Sequence, residues 1–231
     1  MCIVATEQCR AHRFKTIKVV VLAIDYSNLK LNDMIFEDLK LGIEVTDDEF
    51  DDIYPKDIRP LSKRHFSPVE VAKMAAKYLA DTPNTRVLDI GSGVGKFCMI
   101  GAACTEGVFT GVEQRENLYN LAVSLAEKYD LRNAHFIHGN ILSINFEDYD
   151  AFYFFNAFFE NILVDDSIDK AVDLDKELFF LYSLYLRRQL SKLPIGTKLA
   201  TYYACSEEIP PCYAIISTQL EGRFKLWEKI E

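Results

Sequence analysis

Three glycines at alternate positions, Gly91, Gly93 and Gly95, follow a short apolar run that contains an acidic residue, Asp89. Glycine tolerates positive φ, and its lack of a Cβ lets a ligand lie against the backbone. The apolar residues 97–104 come next and have helical character. The first turn of a helix directs unpaired N–H groups toward the preceding loop. The spacing therefore indicates a ligand-binding turn between a strand and a helix.

A carboxylate ends the next apolar segment, which covers residues 108–113 and finishes at Glu113. In nucleotide-binding α/β folds, a carboxylate about 20 residues past the glycine loop accepts hydrogen bonds from a ribose diol. The spacing is Gly-x-Gly-x-Gly rather than Gly-x-Gly-x-x-Gly, and Asp89 adds a negative charge beside the loop. Both features disfavour a pyrophosphate, and so a dinucleotide such as NAD. The charge of Asp89 suits a ligand that carries an ammonium group.

An asparagine among aromatic residues, Asn156, lies in a third informative segment, residues 149–160. This segment is predicted to contain a strand that is too continuously apolar to have a solvated face. Ligands of open α/β sheets bind beyond the carboxyl ends of strands, where the strand order reverses. Asn156 is therefore expected to face the reacting end of the ligand. We expect Phe152 and Phe154 in the core, and we leave Phe155, Phe158 and Phe159 open between core and site.

Predicted strands and helices alternate along the chain, and this alternation is typical of an α/β fold. These elements must position the residues described above. The predicted strands are residues 87–90, 108–113, 134–138, part of 149–160, 197–203, 212–218 and 224–230. The predicted helices are residues 33–41, 67–79, 97–104, 117–129 and 167–193. Ser67 is expected to cap the second of these helices, with Pro68 in its first position and Glu70 completing a capping box.

Residues 87–95, together with residues 111–113, resemble the first two motifs of class I S-adenosylmethionine-dependent methyltransferases. The resemblance covers roughly residues 66–159. It implies a Rossmann-like, doubly wound α/β fold with a seven-stranded, mostly parallel sheet and an antiparallel C-terminal strand pair. It implies S-adenosylmethionine as the cofactor of a domain over residues 61–231. Residues 1–60 would then form a helical N-terminal extension that acts as a lid or a substrate-side cap.

The resemblance also implies which residues contact the cofactor. The family often has an aspartate where Asn140 stands, and asparagine can likewise accept a hydrogen bond from the adenine amino group. In the family a helix before the glycine loop covers the methionine end, so residues 64–67 are expected there. The predicted cofactor contacts are Phe66, Ser67, Asp89, Gly91, Ser92, Gly93, Gly95, Glu113, Gln114, Asn140, Ile141 and Asn156.

Methyl transfer from a sulfonium is an in-line displacement that depends mainly on positioning and the exclusion of water. Asn156 is the predicted catalytic residue, because its side chain can accept a hydrogen bond from an acceptor N–H. Residues 156–159 lack the prolines of the Asn-Pro-Pro-aromatic motif found in methyltransferases that act on nucleic-acid bases or glutamine. Residues 155–158 are similar to an element of the non-SET lysine methyltransferases that act on histones. The acceptor stays open between a small molecule and a protein side chain.

Two other functions remain open from the sequence alone. One is a catalytically inactive, cofactor-binding partner or regulatory module. The other is an NAD-dependent oxidoreductase, which the glycine spacing disfavours. The formal net charge of −9 over 231 residues argues against non-specific binding to nucleic acid, because such binding relies on Lys and Arg. The acidic residues 44–52 are expected to form a solvated face or loop.

The six cysteines show neither a Cys-x-x-Cys pair nor the spacing of a zinc site, so no metal is predicted. Buried, reduced thiols in a cytoplasmic protein are the expectation. The longest strongly apolar run, residues 19–24, is too short to span a bilayer. No small-residue cleavage site follows it, so it is a poor secretory signal. The prediction is a cytoplasmic protein without a membrane partner.

Overall fold

Seven strands form one sheet in the computed structural model, which describes residues 34–163 and 167–231. The apolar run at residues 19–24 lies outside the described residues. The strands are β1 Arg86–Ile90, β2 Val108–Glu113, β3 Ala134–His138, β4 Ala151–Phe155, β5 Lys198–Tyr202, β6 Tyr213–Gln219 and β7 Phe224–Lys229. Each overlaps a predicted strand, because short apolar runs between polar turns are buried on both faces of a covered sheet.

The strand order is β3-β2-β1-β4-β5-β7-β6. The first five strands in this order are parallel, β7 runs antiparallel to β5, and β6 runs antiparallel to β7. The predicted sheet with its antiparallel C-terminal pair is therefore confirmed. The order reverses between β1 and β4, which creates a crevice at their carboxyl ends.

Helices cover both faces of this sheet. They are α1 Ile35–Lys40, α2 Asp47–Asp51, α3 Arg59–His65, α4 Val69–Leu79, α5 Lys96–Cys104, α6 Glu116–Lys128 and α7 Lys176–Lys192. A hydrophobic core lies on each face of the sheet. Val87 of β1 packs in one core with α4, α5 and α6, and the next residue, Leu88, packs in the other core with α7. Phe152 and Phe154 are fully buried, as expected.

The predicted helix at residues 167–193 begins only at Lys176. Asp175 accepts a hydrogen bond from the Glu177 N–H at 2.8 Å and caps the helix. Upstream, Asp169 accepts from the Ala171 N–H at 3.0 Å. Aspartate side chains compete with helical hydrogen bonds in this way. The prediction was therefore wrong for the first nine residues of this segment.

The start of α4 also corrects a prediction. The side chain of Ser67 does not cap the helix, because its Oγ lies 2.7 Å from the hydroxyl of Tyr153 in the core. The Val69 N–H instead donates to Asp47 Oδ1 at 2.9 Å. The cap thus comes from a residue 22 positions away, which local sequence spacing cannot indicate.

The acidic residues 44–52 are not simply a solvated loop. They include α2, which begins at Thr46 with a capping box to Glu49. Asp51 is buried, and with Asp47 it binds the ammonium of Lys96. Burial of carboxylates requires such a partner. Helix α1 and the residues around α2 share the core of α4 and α5. The domain boundary near residue 60 stays a prediction.

Candidate cofactor site

A cavity of about 150 Å³ lies at the carboxyl ends of the parallel strands, where the strand order reverses. Seven predicted contacts line it: Gly91, Gly93, Glu113, Gln114, Asn140, Ile141 and Asn156. The wall also includes residues that the sequence did not single out as contacts, among them Arg115, Phe158, Glu160 and Tyr182. Residues from four strand ends and from α7 therefore meet in one place.

The glycine loop presents bare backbone to this cavity. Gly91 and Gly93 adopt φ values of +77° and +54°, which side chains disfavour. The Gly91 and Ser92 N–H groups donate to the Val112 carbonyl at 3.1 and 3.0 Å, which holds the loop against the end of β2. A Cβ on Gly91 would lie 2.4 Å from the Cβ of Ala157. The close approach of the loop after β4 therefore requires glycine at this position.

Glu113 is joined to the glycine loop by a direct hydrogen bond. Its Oε2 accepts from the Gly93 N–H at 2.9 Å, and its Oε1 accepts from the Arg115 N–H at 2.8 Å. Burial raises the pKa of Glu113, while these two N–H groups and the nearby Arg115 charge oppose the rise. A carboxylate has about four acceptor sites, so each oxygen keeps one for a ligand hydroxyl.

Asp89 does not line the cavity. Its side chain is buried toward α5, where Cys98 Sγ donates to Oδ2 at 3.5 Å. Burial raises the pKa of Asp89 to about 8, with a further contribution from the charge of Glu113. The predicted contact between Asp89 and the ligand therefore stays a prediction, and the structure directs this side chain toward α5 instead. Successive residues of a strand face opposite sides, and Asp89 is on the side that α5 covers.

Four other predicted contacts do not line the cavity: Phe66, Ser67, Ser92 and Gly95. A Cβ on Gly93 would lie 3.3 Å from the Phe66 ring, and one on Gly95 would lie 2.4 Å from the Phe136 ring. The Oγ of Ser92 is buried and has no hydrogen-bond partner among the described residues. Cofactor contacts from these four residues stay a prediction.

Both the oxygen and the nitrogen of the Asn140 side-chain amide are hydrogen-bonded. Its Oδ1 accepts from the Leu142 N–H at 3.0 Å. Its Nδ2 donates to the Tyr182 hydroxyl at 2.8 Å and to Gln114 Oε1 at 3.3 Å. Tyr182 belongs to α7 and lies 42 residues after Asn140 in the sequence. The one sequence signal for the burial of Tyr182 was its place on the apolar face of a predicted helix.

Arg115 connects the end of β2 to the chain beyond β4. The guanidinium is buried, with Nη2 bonded to Glu160 Oε2 and Nε donating to Asp169 Oδ1 at 2.9 Å. Glu160 Oε1 also lies 3.9 Å from His65 Nδ1. Sequence reasoning missed this network, because its charges come together only through the fold. The network forms one side of the cavity.

Asn156 stands at the end of β4 with a left-handed φ of +44°. Asparagine tolerates this conformation better than most residues. The side chain of Asn156 lines the cavity and makes no hydrogen bond to any described residue. The adjacent Phe155 ring packs 4.8 Å from the Tyr202 ring, measured between centroids. A polar group with unused hydrogen-bonding capacity therefore faces the cavity from an aromatic surface.

Neither a metal cluster nor a membrane helix is found in the described part of the chain. Residues 34–163 and 167–231 contain no group of three or more His, Cys, Asp or Glu side chains that could hold a metal ion. In the same ranges, no helix is long and apolar enough to cross a membrane.

Comparison with known proteins finds one matching family model and several similar folds. A family model described as "Methyltransferase domain" matches residues 81–190. TrmN from Thermus thermophilus is similar in structure, with a TM-score of 0.52, 21% identity and coverage of 73% of this chain and 51% of TrmN. MtNAS in complex with MTA and tNA has a TM-score of 0.50 and 10% identity, over 86% of this chain and 70% of MtNAS. No curated protein matches the chain.

The chain thus matches a methyltransferase-domain model over residues 81–190 and has the fold of TrmN, which confirms the fold predicted from its sequence. An RNA methyltransferase from Salinibacter ruber in complex with S-adenosyl-L-homocysteine also has a similar fold. Its TM-score is 0.46 at 16% identity, over 71% of this chain and 91% of that protein. The chain spans about half the length of the TrmN chain that it matches.

Proposed function

We propose that the chain binds S-adenosylmethionine in the cavity at the carboxyl ends of the strands and transfers its methyl group to an acceptor beside Asn156. The observation that carries the proposal is the 2.9 Å hydrogen bond between the Gly93 N–H and Glu113. It places bare backbone and a carboxylate side by side in one cavity. The bound cofactor would supply a methyl group activated on a positively charged sulfur.

The residues of the cavity fit this cofactor in type. Glu113 has acceptor sites left for a ribose diol. Asn140 and Ile141 offer a polar group and an apolar surface for adenine at the end of β3. Arg64 and Asn156 line the side left for the amino-acid end. Ligand pockets usually measure about 300–1000 Å³, so a cavity of about 150 Å³ must widen on binding.

The chain's own contribution to transfer would be positioning. Among the residues that the structure describes, two carboxylates line the cavity, and both are engaged. Glu113 accepts two backbone N–H groups, and Glu160 is paired with Arg115. Because both are already hydrogen-bonded, the proposal gives neither of them the removal of a proton from the acceptor. Asn156 would instead accept a hydrogen bond from the acceptor and hold its lone pair in line with the methyl group.

Titration calorimetry with S-adenosylmethionine, S-adenosylhomocysteine and NAD tests the cofactor. We expect binding of the first two and none of NAD, and tight binding of NAD alone would overturn the proposal. Methyl-labelled S-adenosylmethionine incubated with separate pools of protein, RNA and small molecules then tests the acceptor. We expect label in the protein or the small-molecule pool.

A cofactor-binding module without turnover is the second candidate. The engaged state of both cavity carboxylates within residues 34–163 and 167–231 favours it. This candidate predicts tight binding of S-adenosylmethionine together with only slow, acceptor-independent loss of the cofactor in every pool. Transfer to any one pool at a rate that saturates with acceptor would reject it.

A further inference from the structure

The face of α7 that points away from the sheet is apolar at its centre. Phe180 and Leu184 lie one turn apart and are 68% and 65% exposed, and Leu181 beside them is 46% exposed. The opposite face of the same helix already packs on the sheet through Leu186 and Leu190, which are fully buried. A contiguous exposed apolar patch on such a helix marks a contact surface.

Exposed charged residues extend this patch toward both ends of the helix. We call the whole surface the outer stripe, and its members recur at helical spacing: Glu177, Phe180, Leu181, Leu184 and Arg188. Contacts on either side of the stripe fix the rotation of α7. Ser183 Oγ donates to Glu208 Oε1 at 3.4 Å, and the Tyr185 hydroxyl donates to the Ile144 carbonyl at 2.9 Å. The stripe is therefore held away from the sheet.

The two ends of α7 have opposite charges. Residues 173–177 contain three carboxylates and one ammonium, whereas residues 187–192 contain three cations and no carboxylate. The helix runs from Lys176 to Lys192, so Leu184 is its midpoint. A rotation by 180° about an axis through Leu184 therefore places the acidic start of one helix beside the basic end of another. The surface is complementary to itself in an antiparallel arrangement, as a two-fold interface requires.

In that arrangement, residues at equal distances on either side of the midpoint meet. Leu184 meets Leu184 of the second copy on the axis. Phe180 precedes the midpoint by four residues and meets Arg188 of the second copy, which follows it by four. A guanidinium over an aromatic ring is a favourable contact. Glu177 then lies about 4.5 Å along the axis from the same arginine, within reach of an ion pair.

We propose that the outer stripe of α7 binds a second copy of this chain, with the two α7 helices antiparallel. The self-complementary order of charges and apolar residues favours a second copy over an unrelated partner. The inference does not depend on the proposed function, because no residue of the stripe lines the cavity. One helix pair is smaller than a standard interface of about 1600 Å², so we expect a weak dimer with a Kd on the order of 10–100 µM.

Sedimentation velocity of the full chain, at concentrations from about 1 to 300 µM, tests the dimer. We expect a change from monomer to dimer over this range. Leu184→Glu should raise the Kd at least about tenfold, because it places two carboxylates together on the axis. Leu41→Glu is the matched control. Leu41 is 74% exposed at the end of α1, so this variant adds the same charge away from the stripe and should keep the natural Kd.

Charge reversal tests the antiparallel arrangement. Glu177→Arg and Arg188→Glu each bring like charges together, so each variant alone should also have a Kd at least about tenfold higher. An equimolar mixture of the two variants restores an opposite-charge contact at both ends of the helix pair. We expect a mixed dimer with a Kd within about threefold of the natural value. Circular dichroism melting curves show that every variant is folded.

Each alternative outcome overturns the proposal. A natural protein that stays monomeric up to about 300 µM has no such interface, and the stripe then belongs to another partner or to residues 1–33 of the same chain. A dimer that survives Leu184→Glu, or that Leu41→Glu weakens equally, is not held by the stripe. Failure of the mixed variants to associate rejects the antiparallel pair. Absence of S-adenosylmethionine binding overturns only the proposed function.

Discussion

Gly93 and Glu113 act as one unit at the scale of single residues, because the N–H of the first donates to the carboxylate of the second. Both could be predicted from the sequence, since glycine spacing and a carboxylate after the next strand are local signals. Arg115 and Tyr182 could not, because their partners Glu160 and Asn140 lie about 45 and 42 residues away in the chain. The direction of the Asp89 side chain could not be predicted either, since spacing does not reveal which strand face α5 covers.

Replacing Gly93 by valine is expected to abolish cofactor binding while the fold survives. The backbone has a φ of +54° and a new Cβ would lie 3.3 Å from the Phe66 ring, so the side chain must compete with the ligand for space. Calorimetry should show at least about a 100-fold loss of S-adenosylhomocysteine affinity. Gly42→Val is the control, because Gly42 has a φ of +74° with nothing within 4 Å. Equal binding by both variants would place the cofactor elsewhere.

Replacing Glu113 by alanine should weaken binding by about 1–3 kcal/mol, because a charged hydrogen-bond partner of the ribose is lost. The variant also frees the Gly93 N–H, so its melting temperature must be measured beside its affinity. Glu208→Ala is a suitable comparison. Glu208 is likewise buried and accepts a backbone N–H, from Cys205 at 2.9 Å, but it does not line the cavity. Natural affinity in Glu113→Ala would contradict the assignment.

Asp89 should make stability fall as pH rises. Its pKa is raised from 3.8 to about 8 by burial, so the folded chain binds a proton that the unfolded chain releases. The folded state is therefore favoured below about pH 4 and loses this advantage between about pH 4 and pH 8. Asp89→Asn cannot ionise, so its melting temperature relative to the natural protein should rise from pH 5 and level off above about pH 8. A constant difference would mean that Asp89 is ionised throughout.

At the scale of elements, Lys96 joins the N-terminal helices to the helix that follows the glycine loop. It is the first residue of α5. The Lys96 ammonium is bonded to Asp47 at 2.7 Å, to Asp51 at 2.8 Å and to Ser62 at 3.2 Å. These contacts join α2 and α3 to the helix that starts after Gly95. The strands could be predicted because their apolar runs are local. The start of α4 could not, because its cap is a side chain of α2.

Lys96→Met is expected to lower the free energy of unfolding by about 3 kcal/mol or more, because it leaves two carboxylates near each other without a cation. Denaturant titration followed by circular dichroism measures the effect. Lys40→Met removes a comparable contact at the surface, where Lys40 bonds Glu37 at 2.7 Å, and should cost less than about 1 kcal/mol. Similar losses in the two variants would show that the buried cluster adds no special stability.

At the scale of the whole molecule, the two cores lie on opposite faces of one sheet, and the cavity opens where β1 and β4 diverge at its edge. Cofactor binding at that point should stabilise both faces together. With S-adenosylhomocysteine at about 100 times its Kd, we expect about 2.7 kcal/mol of added stability in one cooperative transition. Differential scanning calorimetry tests this. A rise limited to one of two separate transitions would show that the faces unfold independently.

Oδ1 of Asp47 accepts from both Lys96 Nζ and the Val69 N–H, so one oxygen atom joins the starts of α4 and α5. Loss of the segment that carries this atom would release both helix starts in a single event. Limited proteolysis should therefore have an uneven outcome. A cut on the N-terminal side of Asp47 is expected to leave a resistant fragment, whereas a cut just after Asp52 should be followed by rapid digestion of the remainder.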